Sequence, residues 1–353
     1  MELTSILKDM IEKKASDVML KAGSPVCMRV HGELFKYGDV LDEHDLEALA
    51  GEVTAKAQKR IYKDQRENVA CFGVKELGRF RATMFQQRGT PVIVIRAINT
   101  KILNFEELNL PVKVLENLCI EKRGLILVTG TTGSGKSTTV ASMIEYINKN
   151  MARHILTLED PIEFLFQDKR SAISQREIKI DTESFQKALE YAMLQTPDVI
   201  FIGDIRTADI MAIALTAAET GQLVIANLHT ISTSHTIERV VNFFQPHQHA
   251  EIRMQLSLLL KGIMSLRLVP LKDGTGRMPV TEVLIPTPTI VDLIREGKVH
   301  EIEYYIKDGG MYGMQTFNQV LLDLYRAEKI TKETALNFAE KKDELIMGLK
   351  ELR

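Results

Sequence analysis

The stretch that most restricts the fold is an apolar run, Gly124-Leu125-Ile126-Leu127-Val128-Thr129, which passes without a break into Gly130-Thr131-Thr132-Gly133-Ser134-Gly135-Lys136-Ser137. A run with no polar alternation reads as a parallel strand covered on both faces. The segment after it fits G-x-x-x-x-G-K-[ST] at every fixed position, and a helix is predicted from Ser137-Thr138-Thr139-Val140 onward. Strand, glycine loop and helix together make a phosphate cradle. The glycines let backbone N–H groups turn inward, and the helix adds its positive N-terminal end. Gly130, Thr131, Thr132, Gly133, Ser134, Gly135, Lys136, Ser137 and Thr138 are therefore candidate nucleotide-binding residues. In such a loop Lys136 reaches the β- and γ-phosphates of ATP and the Ser137 hydroxyl ligates Mg²⁺.

The same strand–helix alternation continues downstream. His154 to Leu158, Val199 to Ile202 and Leu223 to Leu228 repeat the buried-strand character with helical stretches between them, which predicts an α/β unit with a parallel sheet. From about Thr289 the chain reads as several short helices. Residues 1–98 have a different texture. An amphipathic helix (Leu3, Ile6, Leu7, Met10, Ile11) precedes a strand entry at Ser16–Leu20, a hairpin within Cys27–Leu34, and strands at Val69–Val74, Gly78–Gln86 and Pro91–Ala97. This predicts a smaller α+β domain with an antiparallel sheet. Residues 99–115, with Pro111, read as the linker to a second domain at 116–353, and 353 residues suit two domains better than one core.

Composition narrows the partners. A formal net charge of -2 gives no general attraction to nucleic acid, and 6% aromatics with no tryptophan leave few platforms for stacking bases. No apolar run approaches the ~20 residues that span a bilayer, and the N-terminus has no secretory layout, so the expected location is cytoplasmic. Cys27, Cys71 and Cys119 form no C-x-x-C pair and are expected to pack in the interior.

A phosphate loop needs an acid at the end of a neighbouring strand. Pro197-Asp198-Val199-Ile200-Phe201-Ile202-Gly203-Asp204 supplies one, making Asp204 the candidate metal-shell acid together with Ser137. Thr157-Leu158-Glu159-Asp160-Pro161-Ile162-Glu163 follows another apolar strand, and its carboxylates, Glu159 and Glu163 among them, are candidates to orient or deprotonate the attacking water. The alternative for that stretch is a capped turn in which Asp160-Pro161 opens a helix. His229, at the end of Leu223–Leu228, is a candidate γ-phosphate sensor, and Arg206 is placed to anchor its neighbours.

Together these motifs resemble the secretion ATPases, and most closely the type IV pilus retraction ATPases, over nearly the whole chain. The resemblance is carried by the acidic box Leu156–Phe164, by Ser174-Gln175-Arg176-Glu177, by Pro197–Arg206, and by the histidine box Ala218–Thr230. It extends to the tail, in Leu293-Ile294-Arg295-Glu296-Gly297-Lys298 and Gly313-Met314-Gln315-Thr316-Phe317. It implies a PAS-like N-terminal domain joined to a RecA-like P-loop core and assembled as a homo-hexamer. It also implies a motor that hydrolyses Mg-ATP to retract a pilus at the cytoplasmic face of the inner membrane. Such a motor works on a platform protein and the pilin machinery, in some systems beside a paralogous retraction ATPase. Glu163 then matches the general base, Asp204 the Walker B acid and His229 the box histidine. Among N-terminal arginines in the region that contacts nucleotide, which include Arg79 and Arg88, Arg81 and Arg96 are the preferred pair. The absence of a tetracysteine motif favours the retraction branch.

The chain departs from that pattern at three places. Asp204 stands where glutamate is usual, and a carboxylate one methylene short is expected to slow turnover by one or two orders of magnitude. Gln222 replaces a common histidine and cannot become charged. Thr131 stands where many retraction enzymes carry proline. The departures at Asp204 and Gln222 motivate an alternative, an ATP-binding ring subunit that hydrolyses weakly. A nucleic-acid motor on the same core is the more distant rival.

Overall fold

The structure, a computed structural model, describes residues 2–30, 33–57, 67–98 and 101–350. They form two compact units: Met1–Lys101 with the short segment Glu163–Leu165, and Ile102–Ile162 with Phe166–Arg353.

The first unit runs α1 (Leu3–Glu12), β1 (Ala15–Leu20), β2 (Ser24–Val30), β3 (Glu33–Leu41), α2 (Glu43–Lys56), β4 (Glu67–Val74), β5 (Gly78–Gln87) and β6 (Thr90–Ile98). Its strands make one antiparallel sheet in the order β3-β2-β1-β6-β5-β4, the α+β PAS-like domain expected. Alternation sends Phe80, Ala82 and Met84 of β5 into the core, where they meet Leu3, Leu7 and Met10 of α1 and Leu46, Leu49 and Val53 of α2. Ile11, expected on the apolar face of α1, is 40% exposed, because it sits about 100° around the helix from Met10. The hairpin turn at His31-Gly32 lies outside the described residues. Of the cysteines, Cys27 and Cys119 are buried as expected, whereas Cys71 is only half-buried on the outer face of β4.

That outer face carries a charged row across four adjoining strands. Arg29, Asp17, Arg96 and Arg81 are successive cross-strand neighbours. Arg96 Nε donates to Asp17 Oδ1 at 2.7 Å, and Arg29 Nε lies 3.9 Å from the other carboxylate oxygen. Burial alone would raise the pKa of Asp17, but the hydrogen bonds from Arg96 and Ser16 and the two positive charges outweigh it and hold it below the ordinary 3.8. A depressed carboxylate stabilises the fold above its unfolded value, and that contribution is lost as pH falls through the folded value. We expect Asp17→Asn to cost about 1–2 kcal/mol at neutral pH, discounted for the exposed arginines. The gap from the native protein should close on acidification below the ordinary carboxylate range, as read from thermal unfolding across pH.

In the second unit α3 (Val112–Ile120) leads into β7 (Gly124–Gly130), α4 (Lys136–Asn150), β8 (His154–Glu159), β9 (Ala172–Glu177), α5 (Phe185–Ala192), β10 (Val199–Ile202), α6 (Ala208–Thr220) and β11 (Leu223–Leu228). Then come α7 (Thr233–Val241), α8 (His249–Leu259), β12 (Leu260–Pro270) and β13 (Arg277–Leu284). The chain closes with α9 (Pro288–Glu296), α10 (Ile302–Asp308), α11 (Phe317–Arg326), α12 (Lys332–Phe338) and α13 (Lys342–Lys350). The sheet order is β13-β12-β7-β11-β10-β8-β9, parallel throughout except for the β12–β13 hairpin. Even the unbroken apolar run of β7 obeys the period of two. Leu125 and Leu127 join the core that holds α6, while Ile126 and Val128 join the core that holds α3 and α4.

The expected linker, 99–115, needs correction. Residues from Ile102 belong to the second unit, and Phe105, Leu110, Val114 and Leu115 are buried against α4 and the sheet. Pro111, read as a linker residue, sits instead at the N-cap of α3. Asp160-Pro161 opens no helix; the peptide bond between them is cis, and the chain continues as a bend.

Candidate active site

Strand order decides what meets at the carboxyl ends of the sheet. With β11 lying between β7 and β10, the loop leaving β11 stands between the phosphate loop and the acid after β10. Open parallel sheets place ligands at this edge, where the strand order reverses.

The phosphate loop is shaped by its glycines. Gly130 has φ 146°, and a Cβ there would lie 2.4 Å from Ser134 Oγ and 2.6 Å from the Leu266 carbonyl. Gly135, at φ 100°, is the N-cap of α4 and supplies no side-chain oxygen, so the first-turn N–H groups of α4 have no side-chain cap. Helices α2, α5, α6, α7, α11 and α12 do carry one, from Asp42, Ser184, Thr207, Ser232, Thr316 and Thr331. The uncapped start of α4 suits an anion. Lys136 is 7% exposed, and its Nζ donates to the carbonyls of Gly130 at 2.8 Å and Thr131 at 3.0 Å.

From Lys136 a polar chain crosses the sheet edge. His229 Nδ1 lies 3.5 Å from Lys136 Nζ, His229 Nε2 lies 3.4 Å from Asp204 Oδ2, and Arg206 Nε donates to that same Asp204 oxygen at 2.6 Å. The other oxygen, Asp204 Oδ1, is buried with no hydrogen-bond partner. A cavity of about 110 Å³ opens beside these groups, lined by Asp204, Arg206, His229 and Thr230 and, from α7 and its exit, Arg239 and Phe243. Arg239 and Phe243 form a cation–π pair at 4.7 Å that no sequence motif announced.

Lys136, His229 and the Asp204–Arg206 pair, far apart in sequence, are thus neighbours. Glu159 closes β8 nearby: Gly203 N donates to the Leu158 carbonyl at 2.8 Å, and a Cβ on Gly203 would lie 3.2 Å from Glu159 Cα. Glu159 is 6% exposed and accepts from Thr157 Oγ1 at 2.7 Å and Gln175 Nε2 at 3.2 Å. Glu163 is exposed and groups with the first unit, as do Arg81 and Arg96. Gln222 is not part of this chain's own phosphate site. It precedes β11, beside Gly124 at the opposite end of the sheet, so the strand's length, roughly 20 Å, separates it from His229.

A phosphate loop at the carboxyl edge of a 7-stranded sheet, with an acid, a histidine and an arginine converging beside it, defines a P-loop ATPase with a RecA-like core. Residues 2–322 match the model of the family described as type II/IV secretion system protein. The type IV pilus ATPase PilU of Pseudomonas aeruginosa is 41% identical over 352 residues, covering 99% of this chain and 92% of the relative. The type IV pilus retraction ATPase PilT of the same organism is 39% identical, covering 95% of this chain and 97% of the relative. A crystal structure of the pilus retraction motor PilT with bound ADP superimposes with a TM-score of 0.92 at 42% identity, covering 98% of this chain and 99% of that one. The chain belongs to the type II/IV secretion system family and groups with its type IV pilus retraction ATPases. Among the described residues no helix is long and apolar enough to cross a membrane.

Proposed function

We propose that the chain is the ATP-hydrolysing subunit of a homo-hexameric motor that powers type IV pilus retraction from the cytoplasmic face of the inner membrane, acting on a membrane platform protein and the pilin machinery. The observation that carries the chemistry is the Lys136–His229–Asp204–Arg206 chain laid across the mouth of the phosphate loop. Residues 130–138 bind the phosphates, and Lys136 exchanges its hold on two loop carbonyls for phosphate oxygens.

The unpartnered, buried Asp204 Oδ1 and the Ser137 hydroxyl at the start of α4 fit a hard divalent cation, so these residues would hold Mg²⁺. When bound, the ion supplies charge neutralisation to the phosphate oxygens. His229, within reach of both Lys136 and Asp204, reports the terminal phosphate to the acid, and Arg206 fixes the carboxylate's rotamer. Glu163 is the general base by its place in the acidic box, and Glu159 holds the end of β8. Arg81 and Arg96 contact nucleotide from the PAS-like domain. The weak-hydrolysis reading is favoured by one observation, the short Asp204 side chain pinned through Oδ2 to Arg206.

The test uses the purified full-length chain. We expect Mg-ATP turnover without nucleic acid, a nucleotide-supported particle of six copies by light scattering, and restoration of twitching to a strain lacking its native copy. Turnover that requires DNA and falls with salt would overturn the motor assignment.

A further inference from the structure

His229 sits in a loop, and the structure shows what holds that loop still. The Thr230 hydroxyl, 2% exposed, bonds the Thr236 hydroxyl at 2.6 Å. Thr236 in turn donates to the Ser232 carbonyl at 2.7 Å and reaches Thr129 Oγ1 at 3.5 Å, and Thr129 bonds Ser265 of β12 at 2.6 Å. Thr129 is the residue before Gly130, so buried hydroxyls link the His229 loop to the strand that delivers the phosphate loop. Arg267 Nη2 donates to the Ile231 carbonyl at 3.2 Å. Finally, Thr233 donates through both its backbone N–H and its hydroxyl to Glu282 Oε1, each at 2.7 Å.

Glu282 is the feature this fold would not keep without reason. It lies on β13 at 5% exposure, directly across from Ser265, and none of the roles assigned above employs it. It is not needed as the helix cap, since Ser232 already caps α7 by accepting from His235 N. We propose that Glu282 is a positioning residue for ATP hydrolysis: through Thr233 it fixes the start of α7, and with it the His229 loop, against the phosphate loop.

Three observations support this. The two bonds from Thr233 converge on one oxygen, so the side chain sets a position rather than merely satisfying a stray N–H. Thr233 is fully buried, so no water competes for those donors. Burial pushes the Glu282 carboxyl up to about 7, reinforced by the charges of Glu340 and Glu303 and opposed by the Thr233 bonds; a carboxyl in so unfavourable a place is retained for its geometry. The inference rests on the reading of His229 as part of the hydrolytic machinery.

Steady-state kinetics of the full-length protein test it, alongside binding of a fluorescent ADP analogue and thermal unfolding. Thr233→Val and Glu282→Leu should lower kcat on the order of 10- to 100-fold, with KM and ADP-analogue affinity changed by no more than about threefold. Thr233→Ser and Glu282→Gln, which keep the donor and the acceptor, should remain within about threefold of the native kcat. Native kcat in folded Thr233→Val, or equal losses in affinity and kcat, would overturn the proposal. If Glu282→Leu does not fold, the Thr233 pair decides. His229→Asn separates the two layers: native turnover there defeats the site reading itself, whereas a slow His229→Asn beside a normal Thr233→Val defeats only the role of Glu282.

Discussion

Replacing Lys136 with alanine is expected to remove Mg-ATP turnover, with kcat/KM falling by at least about a thousandfold and the fold left intact. The ammonium is the only side-chain cation among the described residues that bonds the loop's own carbonyls, at Gly130 and Thr131, and it also faces His229. A neutral methyl at that point can neither draw charge from the terminal phosphate nor hold the loop and His229 in one frame. The structural cost is small by comparison. Two charge-assisted hydrogen bonds are lost, worth about 1.5–3 kcal/mol each, a loss offset in part because a buried ammonium no longer has to be kept from water, against about 5–15 kcal/mol for a domain of ordinary stability. Strand β7, buried along its whole length, needs no help from Lys136 to stay in the sheet. A coupled ATPase assay with a thermal melt on the same preparation checks both halves. Native turnover in the variant would remove the phosphate site from the mechanism.

Much of this was legible in the sequence because the P-loop core is written in local signals. A continuous apolar run has no reading in a parallel sheet other than a strand covered on both sides, and the glycine spacing that follows needs no tertiary information. Asp204 and His229 could be proposed because each ends such a run.

What could not be read is whatever depends on which strands become neighbours. The intervening place of β11 gives His229 its contacts on both sides, and no local pattern states it. Gln222 drew attention because it stands where the resembled family commonly has a histidine; a parallel strand puts it and His229 at opposite edges of the sheet. Helix α2 was missed for a different reason. Its buried residues, Leu46, Leu49 and Val53, are few among many polar ones, although the Asp42–Asp45 capping box marked its start. Glu282 offered only one acid in an apolar strand, which a sequence cannot distinguish from a surface position until the hairpin is folded over α7.

The second large effect concerns Asp204. Asp204→Glu is expected to raise kcat by about 10- to 100-fold, the penalty assigned to a carboxylate that falls one bond short. The structure sharpens why. One oxygen of Asp204 is fixed by Arg206 at 2.6 Å with His229 at 3.4 Å, while the other has no partner, so the side chain is anchored backwards and its reaching atom cannot advance. An added methylene moves the carboxylate by about 1.5 Å. The cavity beside it, about 110 Å³, takes that displacement without a clash, since one water's share of liquid volume is about 30 Å³. Packing therefore does not oppose the longer acid, and the geometry of the reaction decides the sign. A gain in kcat with unchanged nucleotide affinity would identify the native chain as a slow ATPase suited to an accessory place in the ring. An unchanged or lower kcat would mean that the Arg206–Asp204–His229 arrangement is already matched to the shorter acid, and the weak-hydrolysis reading would fall with it.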